Sequence, residues 1–156
     1  PHRFMGINQS GQVCLLQTQG NPDGHVILRG GKKPNYHEED VALCEAHMIK
    51  AGLTPSLMID CSHGNSNKDF RRQSVVVDSV IEQIKKGNQS ITGIMLESHI
   101  NEGNQSSEQP RSEMKYGVSV TDACISWETT ESVLRNLHQQ ISPVLAQRAA
   151  QLRKVS

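Results

Sequence analysis

Histidine and acidic side chains follow two short apolar runs of the chain. One run ends just before Cys61 and His63, and another ends just before Glu97 and His99. In parallel α/β folds, polar residues at the carboxyl ends of strands line the active site. His63 and Glu97 are therefore the first candidates for chemistry, and Cys61 and His99 join them if the alternation of strand faces persists that far.

Asp122 supplies a third group of compatible chemistry. Together, His, Glu and Asp side chains suit borderline divalent ions such as manganese, iron, cobalt or zinc, and such an ion polarises a carbonyl oxygen. Each residue also has a simpler role. His63 can bond a neighbouring backbone group, Glu97 can form an ion pair, and Asp122 can cap a helix. Spacing alone leaves both interpretations open.

The segment Arg29-Gly30-Gly31-Lys32 has the composition of a phosphate site. Glycines let the backbone approach an anion, and an arginine fork binds oxygen atoms in pairs. So short a motif is weak evidence for a phosphate site, and the alternative, a solvated hairpin end, is favoured. The nucleotide-binding motifs G-x-x-x-x-G-K-[ST] and G-x-G-x-x-G and the serine hydrolase motif G-x-S-x-G are all absent from the sequence.

The elements around these residues alternate between strand and helix. The apolar runs 57–60 and 91–96 flank a stretch in which apolar residues recur at helical spacing: Phe70, Val77, Val80, Ile81 and Ile84. A strand–helix–strand unit of this size predicts two parallel strands joined by a crossover. Both polar strand ends would then lie at one edge of the sheet.

The amino-terminal part predicts three further strands and a helix. Strands are expected at residues 3–7, 12–18 and 25–29, with the last two forming a hairpin around a turn-rich segment. A helix is expected from Glu38, because acidic residues favour a first turn, and it should stop at Gly52.

The carboxyl-terminal part predicts a long loop and two helices. Residues 101–119 carry few apolar side chains, which indicates a functional lid or binding loop, with disorder as the alternative. Thr121 or Asp122 is expected to cap a helix that carries Trp127. Ser142-Pro143 is expected to begin another helix.

Composition bounds the class of protein. The 156 residues are 35% hydrophobic and 3% aromatic, a thin supply for a core, and the chain begins with Pro1 rather than Met, which together suggest a piece of a longer polypeptide. A net charge of zero argues against a nucleic-acid or anionic-membrane partner. Four scattered cysteines and no apolar spanning run predict a soluble cytoplasmic protein with reduced thiols. We expect one incomplete α/β domain over residues 1–156.

Four motifs resemble those of the class I 3-deoxy-D-arabino-heptulosonate 7-phosphate (DAHP) synthases. They lie in the family's order over essentially the whole chain, and are Ile27-Leu28-Arg29-Gly30-Gly31-Lys32, Met58-Ile59-Asp60-Cys61-Ser62-His63-Gly64-Asn65, Met95-Leu96-Glu97-Ser98 and Gly117-Val118-Ser119-Val120-Thr121-Asp122-Ala123-Cys124. The stretch from Glu102 to Glu113 further resembles the tyrosine-regulated bacterial members of the family.

The resemblance implies a fold and an activity. The fold is the carboxyl-terminal part of a (β/α)8 TIM barrel, from about strand 6 to the last helix, with an inserted β-hairpin. The full-length parent protein would be a transferase and a homo-oligomer. It would condense phosphoenolpyruvate with erythrose 4-phosphate, the first step of the shikimate pathway to aromatic amino acids.

By their match to the family motifs, His63, Glu97 and Asp122 are implied ligands of a divalent metal ion, and Arg29 is implied to bind the phosphate of phosphoenolpyruvate. His63 is also the implied catalytic residue, close to the reacting substrate. Phe4, Gly6 and Ile7 match a strand of the effector pocket, with tyrosine as the expected feedback inhibitor.

The sequence departs from the family in what it lacks. It has neither the Gly-Pro-Cys-Ser segment that supplies a fourth metal ligand nor the Lys-Pro-Arg segment that binds substrate phosphates. Cys61 stands where the family uses no ligand. We therefore expect no turnover from this chain alone. The alternative function is a non-catalytic assembly fragment that keeps a weak phosphate or metal site, whereas a metal-dependent hydrolase would need a general base that the sequence does not identify.

Overall fold

The computed structural model describes residues 1–152, so residues 153–156 of the expected domain lie outside the described part. Its elements follow one another along the chain as β1 (Arg3–Ile7), β2 (Val13–Gln17), β3 (Val26–Leu28), α1 (Glu38–Lys50), β4 (Leu57–Asp60), α2 (Gln73–Lys85), β5 (Ile91–Met95) and α3 (Trp127–Leu152). Short 3-10 turns at Phe70–Arg72 and Arg111–Glu113 complete this α/β fold. Within the described residues, none of the helices is both long and apolar enough to cross a membrane.

The candidate site residues follow the strands of a three-stranded parallel sheet in the order β3-β4-β5. β4, α2 and β5 form the predicted strand–helix–strand unit, and β3 adds a third parallel strand. The expectation that the polar ends of β4 and β5 share one edge is confirmed, and Arg29, which directly follows β3, lies at this edge too.

The predicted hairpin between residues 12–18 and 25–29 is wrong. β1 pairs with β2 instead, antiparallel, with Arg3 opposite Gln17 and Ile7 opposite Val13. The side chain of Asn8 organises the turn, because its Oδ1 accepts hydrogen bonds from the backbone N–H groups of Ser10 and Gln12. β3 instead pairs with β4, with Val26 opposite Leu57, and local turn chemistry cannot reveal a partner so far along the chain.

One core binds the sheet to its helices. Apolar residues of β4, α1 and α2 form its centre, including Leu57, Ile59, Val41, Val77 and Val80. Burial at helical spacing, which the sequence predicts from Phe70 to Ile84, is confirmed for Val77, Val80, Ile81 and Ile84 of α2, whereas Phe70 lies in the preceding 3-10 turn and is only half-buried. α3 packs against α2 and contributes partly buried side chains.

Two expectations about the last helices are wrong. A single helix runs from Trp127 to Leu152 with Pro143 inside it, since Ile141 and Val144 pack against the core on both sides of the proline. This packing outweighs the one helical hydrogen bond that Pro143 cannot donate. The cap is neither Thr121 nor Asp122, because Ser126 Oγ accepts from the N–H of Thr129.

The segment at residues 101–119 is irregular but internally bonded. The side chain of Gln105 accepts from the N–H of Lys115 and donates to the carbonyl oxygens of Lys115 and Val118. Backbone bonds in both directions join Gly103 to Cys124. These contacts argue against the disordered alternative, and the role of this segment as a lid stays a prediction.

Candidate metal centre

The chain reverses sharply after β4, and this turn sets the direction of His63. His63 has φ +48°, and Asn67 and Lys68 also have positive φ, which side chains other than glycine adopt at an energetic cost. Backbone bonds hold the turn, including those from the Lys68 N–H to the His63 carbonyl and from the Asn65 N–H to the Ser62 carbonyl. A strained turn maintained in this way is typical of a functional site.

The loops after β3 and β4 touch through glycines. A Cβ atom added to Gly30 would lie 2.6 Å from the carbonyl carbon of Gly64, and one added to Gly64 would lie 2.9 Å from that of Gly30. Gly30 also has φ +76°, so a side chain is excluded by both space and conformation. This contact brings Arg29 next to the turn that carries His63.

A buried amide fastens the same two loops together. The Asn65 Nδ2 group donates to the carbonyl oxygens of Leu28 and Asp60, at 2.9 and 2.8 Å, and its Oδ1 accepts from the N–H of Asn35 at 2.8 Å. Asn65 is only 1% exposed. Its hydrogen bonds therefore fix the carboxyl ends of β3 and β4 relative to one another.

Three side chains converge at this edge of the sheet. His63 Nε2 lies 3.3 Å from Glu97 Oε1 and 3.8 Å from Asp122 Oδ2, and one ligand atom from each residue lies within 4.8 Å of the others. Glu97 lies two residues after the end of β5, and Asp122 in the segment before α3. One imidazole nitrogen and two carboxylate oxygens are a donor set that borderline divalent ions accept, so the residues present fit such an ion.

Asp60 determines which nitrogen of His63 faces this group. Asp60 Oδ2 lies 2.8 Å from His63 Nδ1, and Asp60 is 1% exposed. A carboxylate only accepts hydrogen bonds, so an N–H at Nδ1 satisfies Asp60, and Nε2, which faces Glu97 and Asp122, is the nitrogen that would ligate a cation. A carboxylate behind a histidine is the usual support of a histidine that ligates a metal.

Negative charge accumulates where the three residues meet. Burial raises the pKa of the Glu97 carboxyl; His63 opposes this shift, and the carboxylates of Asp122 and Asp60 add to it. A bound cation would relieve the repulsion between these carboxylates. Arg29, with Nε 3.8 Å from Asp60 Oδ2 and a side chain 64% exposed, keeps most of its guanidinium free for an anion.

The three predicted ligands and Arg29 line a common cavity of about 210 Å³. Its remaining lining residues are Ser66, Lys68, Phe70 and Ala123. The cavity is below the roughly 300–1,000 Å³ usual for small-molecule sites. It offers room for an ion and a small anionic group rather than for two sugar-sized substrates.

The other two candidates of this edge, Cys61 and His99, do not belong to the group. The Cys61 thiol is fully buried and points to the carbonyl of Ile59. Burial, followed by the charge of Asp60, raises the pKa of the Cys61 thiol to about 12, which opposes formation of the thiolate that ligates metals. His99 Nδ1 accepts the N–H of Ile100.

The residues matched to the effector pocket all lie on β1, away from the sheet. Strand alternation places Phe4 and Gly6 on one face of the hairpin and Ile7 on the other. The three side chains therefore do not form one surface by themselves.

Sequence reasoning missed the direct contact of Asp60 with His63. Alternation along a strand predicts that these residues face apart, but the positive φ of His63 folds its ring back onto Asp60. It also missed Gln73, a buried residue of α2 whose side chain bonds to the backbone of Glu97. In the sequence this glutamine looks like an ordinary helix residue. The hydrophobic pattern gave one usable signal, a glutamine within the predicted buried stripe of a helix.

The fold and the site together define a class: an α/β protein with a candidate divalent-metal centre. The His, Glu and Asp side chains of this centre lie at the carboxyl edge of the parallel sheet. Sequence comparison makes the class specific. The chain belongs to the DAHP synthetase I family, whose sequence model matches residues 1–135.

Individual relatives agree with this family. A Tyr-sensitive phospho-2-dehydro-3-deoxyheptonate aldolase of Enterobacter agglomerans is 76% identical over 97% of this chain and 71% of its own length. The Tyr-sensitive protein of Escherichia coli is 72% identical over 96% of this chain but only 42% of its own length. The structure of a phospho-2-dehydro-3-deoxyheptonate aldolase from Francisella tularensis superposes with a TM-score of 0.80 at 42% identity, covering 91% of this chain and 41% of that one. The chain thus spans less than half of two of these three proteins.

Proposed function

We propose that this chain is the carboxyl-terminal part of a (β/α)8 barrel, in which β3, β4 and β5 are the sixth, seventh and eighth strands. The parallel order β3-β4-β5, with helices between successive strands, supports this assignment. So does the superposition on 41% of a relative's chain. Residues 1–156 then form one incomplete domain, and the β1–β2 hairpin precedes the sixth strand as an insertion.

The parent enzyme, on this proposal, condenses phosphoenolpyruvate with erythrose 4-phosphate and releases phosphate. Carbon 3 of phosphoenolpyruvate bonds to the aldehyde carbon, water adds at carbon 2, and the phosphate leaves. The observation that carries the proposal is the convergence of His63 Nε2 on Glu97 and Asp122, in a chain of this family. A divalent ion held there would supply Lewis-acid polarisation of the aldehyde.

The chain's own residues have separate tasks. Arg29 binds the phosphate of phosphoenolpyruvate through its free guanidinium, as a planar donor fork suits phosphate oxygens. His63 offers Nε2 as a ligand beside this anion, and Asp60 keeps its proton on Nδ1. Glu97 and Asp122 complete the part of the ligand set that this chain contains. Manganese, iron, cobalt and zinc all fit these donors.

The chain alone should not turn over, because the segments that supply the fourth ligand and other phosphate contacts are absent from it. Activity is therefore best tested in a chimera in which this chain replaces the aligned 150 residues of the Escherichia coli Tyr-sensitive protein. We expect the chimera to consume phosphoenolpyruvate only when erythrose 4-phosphate is added, and the isolated 156-residue chain to consume none.

A folded chimera that is inactive while the intact Escherichia coli protein is active would contradict the proposal. That outcome would favour the alternative, a non-catalytic fragment with a weak metal or phosphate site. Turnover by the isolated chain would contradict its expected dependence on the missing segments.

The hairpin residues Phe4, Gly6 and Ile7 are proposed to contribute to a tyrosine effector site of the parent. Two of the relatives compared are Tyr-sensitive. Gly6 leaves little space, since a Cβ atom there would approach Leu16 Cδ1 to 2.5 Å. Any larger residue must displace Leu16 and change the shape of that hairpin face.

In the chimera, Gly6→Leu should raise the tyrosine concentration needed for half-inhibition several-fold, because the new side chain and the displaced Leu16 would occupy space on that hairpin face. A loss of about 1 kcal/mol in binding free energy, the lower end of overpacking costs, corresponds to about fivefold. Inhibition curves at fixed substrate measure the effect. Gln9→Ala, at the exposed turn of the same hairpin, is the matched control and should leave inhibition unchanged. Equal curves for all three proteins would remove β1 from the proposed pocket.

The homo-oligomer expected from the resemblance is also part of this proposal. One face of the hairpin carries four largely exposed apolar side chains, those of Met5, Ile7, Val13 and Leu15. Apolar surface of this kind is typical of interfaces.

A further inference from the structure

Gln73, the first residue of α2, is a fully buried polar side chain next to the candidate metal centre. It is 0% exposed, although glutamine is among the residues that are usually exposed. A buried amide costs free energy unless its donor and acceptor are both satisfied. The partners that satisfy it therefore indicate what it is retained for.

Both partners of Gln73 belong to the backbone of one residue, Glu97. Gln73 Oε1 accepts the N–H of Glu97 at 2.8 Å, and Gln73 Nε2 donates to the carbonyl of Glu97 at 3.0 Å. The carbonyl of Glu97 accepts a second bond, from the N–H of Ile125 at 3.0 Å. The amide thus binds Glu97 as a neighbouring strand would.

Glu97 needs such a partner because it lies beyond the end of the sheet. β5 ends at Met95, whose carbonyl accepts the N–H of Cys61 as the last bond from the β4 side. Two residues later, no strand among residues 1–152 pairs with Glu97 on that side, and the side chain of Gln73 takes the place of one. The Glu97 carboxylate meanwhile has to meet His63 Nε2, 3.3 Å away.

We propose that Gln73 is a positioning residue for the metal centre, which fixes the backbone of Glu97 so that its carboxylate meets His63 and Asp122. The inference rests on the proposed function of these three residues as ligands. Gln73 itself touches neither ion nor substrate. Its effect arises because ligand groups must be held within about 0.5 Å of their productive positions.

The rival explanation is that Gln73 only stabilises the fold, and α2 contains the control that separates the two. Gln83 lies on the same helix, is 4% exposed, and donates through Nε2 to the carbonyl of Tyr36 at 2.8 Å. It is thus a second buried glutamine with a backbone partner, but remote from Glu97, and its Oε1 accepts no hydrogen bond within the described residues. Substitution of either glutamine removes a buried hydrogen bond to the backbone, and only substitution of Gln73 should affect the metal.

The experiment compares Gln73→Met and Gln83→Met in the 156-residue chain, since Met preserves volume and removes the amide. Mn²⁺ affinity is measured from the electron paramagnetic resonance signal of the free ion, and thermal unfolding is recorded beside it. Gln73→Met should weaken Mn²⁺ binding at least about tenfold, the lower end for residues that support metal ligands. Gln83→Met should bind Mn²⁺ as the unsubstituted chain does.

Exchange of the Glu97 amide hydrogen, followed by NMR, gives a readout that needs no metal. It should accelerate in Gln73→Met and not in Gln83→Met. If Gln73→Met does not fold, Gln73→Asn replaces it, because the shorter side chain keeps the amide but cannot reach both the N–H and the carbonyl of Glu97. It should also weaken Mn²⁺ binding.

Equal Mn²⁺ affinity of the folded Gln73 variant and the unsubstituted chain would overturn the inference. If the proposed function is wrong, the result is distinguishable: the unsubstituted chain would then bind Mn²⁺ no better than the His63→Ala variant does. In that case amide exchange decides: selective acceleration at Glu97 in the Gln73 variant supports the positioning role, and unchanged exchange refutes it.

Discussion

Replacing His63 by alanine should weaken Mn²⁺ binding by the chain at least about 100-fold and abolish turnover in the chimera. The lone pair of Nε2 is the only nitrogen donor of the group, and it faces both carboxylates. Loss of residues that merely support a ligand already costs about 10–100-fold in affinity, so loss of a ligand should cost no less than the upper end. The repelling carboxylates of Glu97 and Asp122 would remain without the nitrogen between them.

Isothermal titration with Mn²⁺ measures the first effect, and phosphoenolpyruvate consumption by the chimera measures the second. His99→Ala is the matched control, because this histidine follows the same strand but its Nδ1 is occupied by the N–H of Ile100. It should retain both metal binding and activity. Equal losses in the two variants would mean that His63 has no special role.

Replacing Asp60 by asparagine should weaken Mn²⁺ binding about 10–100-fold and lower the free energy of unfolding by about 1–3 kcal/mol. Asp60 is buried and accepts from the N–H of Ser62 at 2.9 Å, from Ser62 Oγ at 2.6 Å and from His63 Nδ1 at 2.8 Å. In asparagine an NH₂ group replaces one carboxylate oxygen, and it would face the Ser62 or His63 group that donates to that oxygen in Asp60. Either a buried donor then loses its partner or the His63 proton moves to Nε2, where it blocks the metal.

Urea unfolding and the same Mn²⁺ titration test these two effects separately. Asp78→Asn serves as the control, since it makes the same change in charge at an exposed position of α2. It should change neither quantity measurably. Metal affinity that is equal in the Asp60 and Asp78 variants would show that His63 needs no carboxylate behind it.

Local periodicity predicted the part of the fold that positions the site. β4 and α2 bury most of their apolar residues, and β5 is an apolar run in the sequence, so the type and order of these elements followed from spacing, and parallel pairing followed from the length of the crossover. The polar ends of these strands then identified His63 and Glu97 as neighbours. Asp122 entered through its residue type and the family motif, because no element of regular structure marks its position.

The errors concern information that is not local. The partner of β3 is β4 and not β2, which depends on the completed sheet rather than on the turn between residues 18 and 25. Pro143 does not end α3, because packing of its neighbours compensates for the missing donor. Asp60 contacts His63 because His63 adopts a left-handed backbone conformation, and Gln73 bonds to Glu97, 24 residues away. Neither contact produces a periodic pattern in the sequence.

The most direct test of the account is a crystal structure of the chain soaked with Mn²⁺ and measured near the manganese absorption edge. The proposed centre predicts a single strong anomalous peak in contact with His63 Nε2 and with carboxylate oxygens of Glu97 and Asp122, and no such peak in crystals of His63→Ala. Anomalous density elsewhere, with these three side chains left unliganded at saturating Mn²⁺, would contradict it.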